Sequence, residues 1–306
     1  MKREKIVVGA GTAYPLNGLL TLPDSPAEKL PAVVFVHGSG PSNMDEQIYR
    51  LTPFKDLAEG LANHGIASVR YDKRTFAYAK KMARQSVTVW EETIEDALRA
   101  TQVLRSDPRI DPDAVFVVGH SLGAMLAPRI DAEGGGYRGL ILLAGSPYRL
   151  EEIVVRQLKQ AGEGKGGLMK GIVRLEERVF GKKFDGLYEM PEAEAKKKKF
   201  AGSVSLWYFR EMGQKTAAEY LLETDKPALL LQGGKDFQVL SSVDFARFRE
   251  LLADRKNTEF RLYDELNHLF VKGIYNDVLK AAQEYKVEQH IGETVIGDIA
   301  AFVNGC

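Results

Sequence analysis

Short apolar runs recur along the chain, and between most of them lies a longer stretch whose apolar residues fall three or four positions apart. The runs predict eight strands. Two open the chain, Lys5–Gly11 and Asn17–Leu22, the second closed by the turn formers Pro23-Asp24-Ser25-Pro26. Then come Ala32–Val36, Ile66–Tyr71, Ala114–Val118, Leu140–Ala144, Ala228–Leu231 and Glu259–Tyr263. Several are apolar at nearly every position, as strands covered on both faces must be. The intervening stretches predict helices. Phe54, Leu57, Ala58 and Leu61 share one face and stop at Asn63-His64-Gly65. Ile94, Ala97, Leu98 and Thr101 repeat the pattern, and Val295, Ile299 and Phe302 do so near the end. Strand alternating with helix means an α/β protein: a mostly parallel eight-stranded sheet with helices on both faces and right-handed crossovers.

One segment breaks this rhythm. Residues 147–225 separate two sheet strands, far more than a loop needs. Ile153, Val154 and Leu158, and further on Ile172 and Val173, have helical spacing, which predicts a helical cap inserted into a domain made of residues 1–146 and 226–306. The run Lys196–Lys199 reads as a solvated face. Trp207, Tyr208 and Phe209 leave two readings open, packing of the insertion or lining of a substrate pocket.

Charge removes several classes of function. Lys+Arg and Asp+Glu number 42 each, so the formal charge is zero and no basic excess exists to hold a nucleic acid. The apolar runs are too short for a bilayer, and Met1-Lys2-Arg3-Glu4-Lys5 leads into only a brief apolar stretch, Ile6–Ala10, so neither a membrane span nor a signal peptide is expected. The expected location is the cytoplasm. A single cysteine, Cys306, excludes a disulfide framework and a cysteine metal cluster. No His/carboxylate cluster has metal-ligand spacing, so neither metal nor organic cofactor is expected. The chemistry must come from oxygen and nitrogen side chains.

Gly119-His120-Ser121-Leu122-Gly123 supplies a place for it. The pentapeptide follows a buried strand and precedes an apolar helical segment, Ala124–Ile130, the strand–turn–helix setting of a nucleophile elbow. A serine hydroxyl needs a base to take its proton. Of the five histidines, His64 ends a helix and suits a cap. His290 follows a polar stretch and suits a local role, His120 sits inside the elbow and should point away from the serine, and His37 belongs to a Gly-rich loop. His268 remains, on the loop after the last strand, where it can reach back over the sheet edge. Asp236 stands just beyond the end of the strand Ala228–Leu231 and is the expected orienting acid. Glu265 is a competitor, and Asp225 precedes its strand and so lies at the wrong edge. Oxyanion donors are expected from the backbone N–H of Leu122, after the serine, and of Ser39 in the loop Val36-His37-Gly38-Ser39-Gly40-Pro41.

Taken together, His37-Gly38-Ser39-Gly40-Pro41, Tyr71-Asp72-Lys73-Arg74, the elbow, Asp236-Phe237-Gln238-Val239 and Asn267-His268-Leu269-Phe270 resemble the serine esterases of the α/β-hydrolase superfamily. The resemblance lies on the side that holds dienelactone hydrolase-like and prolyl-oligopeptidase-like proteins, and is strongest to a bacterial carboxylesterase group of the EstD type. The motifs span His37 to Phe270 and the final helical stretch Val295–Val303 also fits, so the resemblance covers the catalytic domain apart from the insertion. Two departures stand out: Thr75-Phe76-Ala77 replaces the usual glycine after Arg74, and dienelactone hydrolases proper use cysteine where Ser121 stands. The resemblance implies an α/β-hydrolase fold and cleavage of a small-molecule ester through Ser121, His268 and Asp236. Short acyl chains are expected if the insertion covers the site. An exo-type peptidase or amidase with the same triad, and a non-catalytic binding protein on the same fold, are the alternatives. Asp72, Lys73 and Arg74 are expected to form a structural ion network.

Overall fold

The computed structural model describes residues 1–24, 28–163, 181–202, 204–275 and 280–306. Among these residues eight strands join in one sheet: β1 (Lys2–Val8), β2 (Leu16–Leu22), β3 (Leu30–Val36), β4 (Ala67–Tyr71), β5 (Ile110–His120), β6 (Leu140–Leu143), β7 (Ala228–Gly233) and β8 (Thr258–Tyr263). Their order is β1-β2-β4-β3-β5-β6-β7-β8. β2 runs antiparallel to both neighbours, and every pairing from β4 to β8 is parallel. Six parallel strands therefore finish at one edge of the sheet.

Helices cover both faces because the strands are apolar on both. On β3, Ala32, Val34 and Val36 pack with α2 (Glu95–Ser106) and α3 (Leu122–Ile130), whose inward residues include Ala97, Leu104 and Leu126. Val33 and Phe35 face the other way, toward Phe54 and Leu57 of α1 (Pro53–Asn63) and Val295 and Ile299 of α6 (Glu293–Gly305). α1 begins on a proline, which has no N–H to leave unpaired, and stops at His64, with Gly65 at φ +80°.

Two strands depart from the expected bounds by more than a residue or two. β1 starts earlier and ends at Val8, where Gly9 and Gly11 turn the chain at φ +69° and +79°. β5 reaches back to Ile110, since the register with β3 slips between Leu30 and Ala32 and lets Ile110 pair with Leu30. The polar Asp111-Pro112-Asp113 inside that irregularity hides it from an apolar pattern.

Between β6 and β7 the described residues form α4 (Leu150–Glu163), a short helix Glu192–Lys197, a hairpin of Lys199–Ala201 with Val204–Ser205, α5 (Leu206–Met212), and a helix Ala217–Leu222 opened by a Thr216/Glu219 capping box. Ile153, Val154 and Leu158 lie on α4, whereas Ile172 and Val173 fall outside the described residues, as do Ser25 and Pro26 of the expected turn. The lysine run is exposed, and Lys198 pairs with Glu194 at 2.7 Å. α4 is tied to the sheet domain by Arg156, whose guanidinium meets both carboxylate oxygens of buried Asp244 at 2.6 Å, and by Gln157, which donates to the Gln238 carbonyl at 3.0 Å.

Candidate active site

The elbow residue Ser121 sits between β5 and α3 at φ +53°, ψ −115°, a conformation that a residue with a side chain adopts only when its surroundings enforce it. The enforcement is visible on both sides. Its N–H donates to the Leu143 carbonyl at 2.8 Å, and the strand and helix flanking it approach so closely that only glycine fits. A Cβ on Gly119 would strike the Gly123 backbone, and one on Gly123 would strike the Val36 carbonyl. The turn thus places Ser121 at the carboxyl edge of the sheet, where it borders a cavity of about 360 Å³. Leu122, first residue of α3, and Ser39, two residues beyond the loop's first histidine, border the same cavity. At a helix start the backbone N–H groups have no intrahelical partner, so the positive end of α3 is directed at this region.

His268 also borders the cavity and is 3% exposed. Its Nδ1 lies 2.7 Å from Oδ2 of Asp236. Asp236 is as buried, and every other contact of its carboxylate comes from a donor: the N–H groups of Gln238 and Val239 reach Oδ1 at 2.8 and 2.9 Å, and Gln232 Nε2 reaches Oδ2 at 3.0 Å. With four donors converging, the carboxylate is held as an acceptor and imposes a proton on Nδ1 of His268, which leaves Nε2 as the free acceptor. The loop bearing His268 is braced from behind. Asn267 is fully buried, donates to Glu284 Oε1 at 2.6 Å and accepts from the Leu269 N–H at 2.9 Å. Among the described residues Ser121 Oγ makes no hydrogen bond with His268; the two meet as walls of one cavity, a looseness common in sites without substrate.

The competing groups go elsewhere. Glu265 is exposed and paired with Lys235 at 2.6 Å, and Asp225 lies at the far end of β7. His64 stands at the end of α1 with its ring on Glu293 at 2.5 Å. His290 is not local: its Nδ1 meets Asp56 of α1 at 3.0 Å. His37 is buried, its Nε2 on the Asn43 carbonyl at 3.0 Å, and burial pulls its pKa down to about 4, so it is a neutral structural donor.

His120 has contacts that its place in the elbow did not suggest. Beyond the expected turn away from the serine, its ring stacks obliquely against His268, with centroids 4.8 Å apart, and its Nε2 lies 2.9 Å from the His268 carbonyl. Nδ1 faces Glu46 Oε2 at 3.0 Å, a buried ion pair. Burial works against the charge on each partner, yet mutual attraction outweighs it: the imidazole is raised and the carboxyl lowered, the latter helped by the Gly38 N–H on Oε1 at 2.7 Å. Glu46, at φ +51°, belongs to no motif, and only a fold bringing residue 46 under residue 120 shows its place.

The insertion enters the site through α4, not through the aromatic triplet. Leu150, Ile153, Val154 and Gln157 line the cavity. Trp207, Tyr208 and Phe209 do not border it among the described residues, so the pocket-lining reading of these three is corrected. Phe209 packs among Phe184, Phe200 and Tyr208, Trp207 lies beneath Lys196 and Arg210, and Tyr208 donates to Glu92 at 2.7 Å. Phe209 thus packs within the insertion, whereas Tyr208 reaches across to Glu92 of the sheet domain. The helical spacing of Ile153 and Val154 was the better signal.

With this geometry in view, comparison with known proteins places the chain. The model of the alpha/beta hydrolase family matches residues 33–272, which includes both ends of the site. The chain belongs to that family. It is 35% identical over 293 residues to Esterase EstD of Thermotoga maritima, an alignment covering 95% of this chain and 66% of the relative, so it spans a little under two thirds of that protein's length. Among solved structures, Est1E from Butyrivibrio proteoclasticus superposes with TM-score 0.57 at 16% identity, covering 97% of this chain and 99% of that one. Acylaminoacyl peptidase of Pyrococcus horikoshii gives 0.60 at 15% identity, covering 99% and 41%. At such identities these two establish the shared fold. Among the described residues no helix is long and apolar enough to cross a membrane.

Proposed function

We propose that the protein is a serine hydrolase that cleaves small carboxylic esters by acyl transfer through Ser121. The observation that carries the reading is the buried Asp236–His268 pair, 2.7 Å apart, opening on the same cavity as a serine held at positive φ. His268 Nε2 takes the hydroxyl proton as Ser121 Oγ bonds to the ester carbonyl carbon. The carbonyl oxygen becomes an oxyanion and is met by the N–H groups of Leu122 and Ser39, each worth about 3 kcal/mol to the barrier. Collapse breaks the bond to the alcohol, which leaves with the proton from His268. Water then gives its proton to His268 and its oxygen to the acyl carbon, and release of the acid returns the proton to Ser121. The nucleophile, the base and the oxyanion donors in this sequence all belong to the chain itself.

Residues 147–225 act as a cap over the domain formed by 1–146 and 226–306. Support comes from α4, whose Leu150, Ile153 and Val154 close one side of the cavity with apolar surface. The described lining contains no Lys or Arg, and its only acid, Glu46, is already engaged by His120 and Gly38. An uncharged, compact acyl group suits such walls. The named esterase relative supports the same class.

The test is a rate comparison on p-nitrophenyl esters from acetyl to dodecanoyl, run beside aminoacyl p-nitroanilides. The expected result is fastest turnover at acetyl to butyryl with little anilide cleavage, all abolished by Ser121→Ala. Anilides turning over faster than esters would replace the esterase reading with the peptidase one.

A further inference from the structure

Lys73 is among the largest fully buried side chains of the protein, and none of the steps above uses it. Its ammonium lies 2.8 Å from the Gly38 carbonyl oxygen and 2.6 Å from Glu92 Oε1, and its backbone N–H donates to the Ser42 carbonyl at 3.0 Å. Glu92 is held in turn by the Tyr208 hydroxyl at 2.7 Å. Burying an ammonium is costly, and its three N–H donors need partners beyond the one carboxylate. The second partner Lys73 takes is the backbone oxygen of Gly38, and that choice bears on the peptide that follows.

The Gly38 carbonyl belongs to the same peptide unit as the Ser39 N–H. A peptide is planar and trans, so the N–H points opposite to the carbonyl. Pulling the oxygen toward Lys73 therefore aims the Ser39 N–H away from it. The preceding peptide is fixed as well, since the Gly38 N–H donates to Glu46 Oε1 at 2.7 Å. Two buried charges of opposite sign thus clamp successive peptide planes. The clamp stands directly behind the elbow: a Cβ on Gly38 would already press within 3.3 Å of Ser121 Cβ. A cation on the carbonyl also polarises the peptide and strengthens the hydrogen bond its N–H can donate.

We propose that Lys73 is a positioning residue that sets and polarises the Gly38–Ser39 peptide as an oxyanion donor, with Glu92 and Tyr208 of the insertion holding its ammonium in place. The inference rests on Ser39 supplying that N–H. The position therefore acts on the transition state and hardly on ground-state binding.

Three variants test it: Lys73→Met, the charge-neutral double Lys73→Met/Glu92→Gln in case the single change unfolds the protein, and Glu92→Gln, which leaves the ammonium on Gly38. Active sites are counted by complete fluorophosphonate titration, and kcat and KM for p-nitrophenyl acetate are expressed per titrated site. Inhibition by an acyl trifluoromethyl ketone, whose adduct carries an oxyanion, is measured alongside. The expected result is a fall in kcat of about 10- to 100-fold in the variants lacking Lys73, KM within about twofold, and a parallel loss of trifluoromethyl ketone affinity. Glu92→Gln should lose less than about threefold. An unchanged kcat per site without Lys73, or an equal loss in Glu92→Gln, overturns the proposal. Failure of the underlying reading looks different, because Ser121→Ala would then keep its activity.

Discussion

Replacing Asp236 by Asn tests the electrostatics of the site with almost no change in shape. Four donors converge on the carboxylate, two backbone N–H groups on Oδ1 and the Gln232 amide with the His268 ring on Oδ2. An amide has one oxygen and one NH₂. The backbone donors cannot turn, so the asparagine oxygen stays with Gln238 and Val239, and its NH₂ then faces His268 Nδ1. To avoid opposing donors the imidazole must move its proton to Nε2, the atom that has to receive the serine proton. A histidine in that tautomer cannot act as base, and the expected fall in kcat is about 10³–10⁴-fold, or about 4–5.5 kcal/mol. The remaining conflict with Gln232 costs about 1–3 kcal/mol of folding stability. Steady-state turnover of p-nitrophenyl acetate and urea unfolding on the same preparation separate the two effects. A folded Asn variant with kcat within tenfold of the parent would refute the reasoning, since the carboxylate would then not be setting the tautomer.

Two further outcomes follow from the same geometry. His37 titrates near 6.5 when unfolded and about 4 when folded, so the unfolded chain binds the extra proton as pH drops. Its contribution is whole above about pH 6.5 and is lost on acidification, about 2 kcal/mol by pH 5. Urea unfolding at pH 7 and 5 should show that loss in the parent and not in His37→Gln; equal pH slopes would contradict it. Ile153→Phe should fill the insertion's side of the cavity and lower kcat/KM for butyryl relative to acetyl ester about tenfold, whereas an unchanged ratio would mean that the acyl group does not lie against α4.

The scaffold was largely legible in the sequence because buried parallel strands must be apolar nearly throughout, and Ala32–Val36 or Leu140–Leu143 admit little else. The limits of β5 were not, since its first residues pair across a register slip and carry two aspartates and a proline. At the site, Ser121, Asp236 and His268 could be singled out because each follows a strand end, and topology collects strand ends at one edge. Glu46 carried no signal, and His120 and Lys73 were legible only as an elbow residue and a member of an ion network; their contacts with backbone atoms of other loops are encoded by no spacing. The aromatic triplet left packing and pocket lining both open, and the structure favours packing: Phe209 sits among Phe184 and Phe200, while the aliphatic face of α4 meets the cavity.

The role given to Ser121 is open to one direct measurement. Intact mass after treatment with a fluorophosphonate, followed by peptide mapping, should show a single adduct on Ser121 at one per chain and none in Ser121→Ala. An adduct on another residue, or equal modification of the variant, would contradict the account.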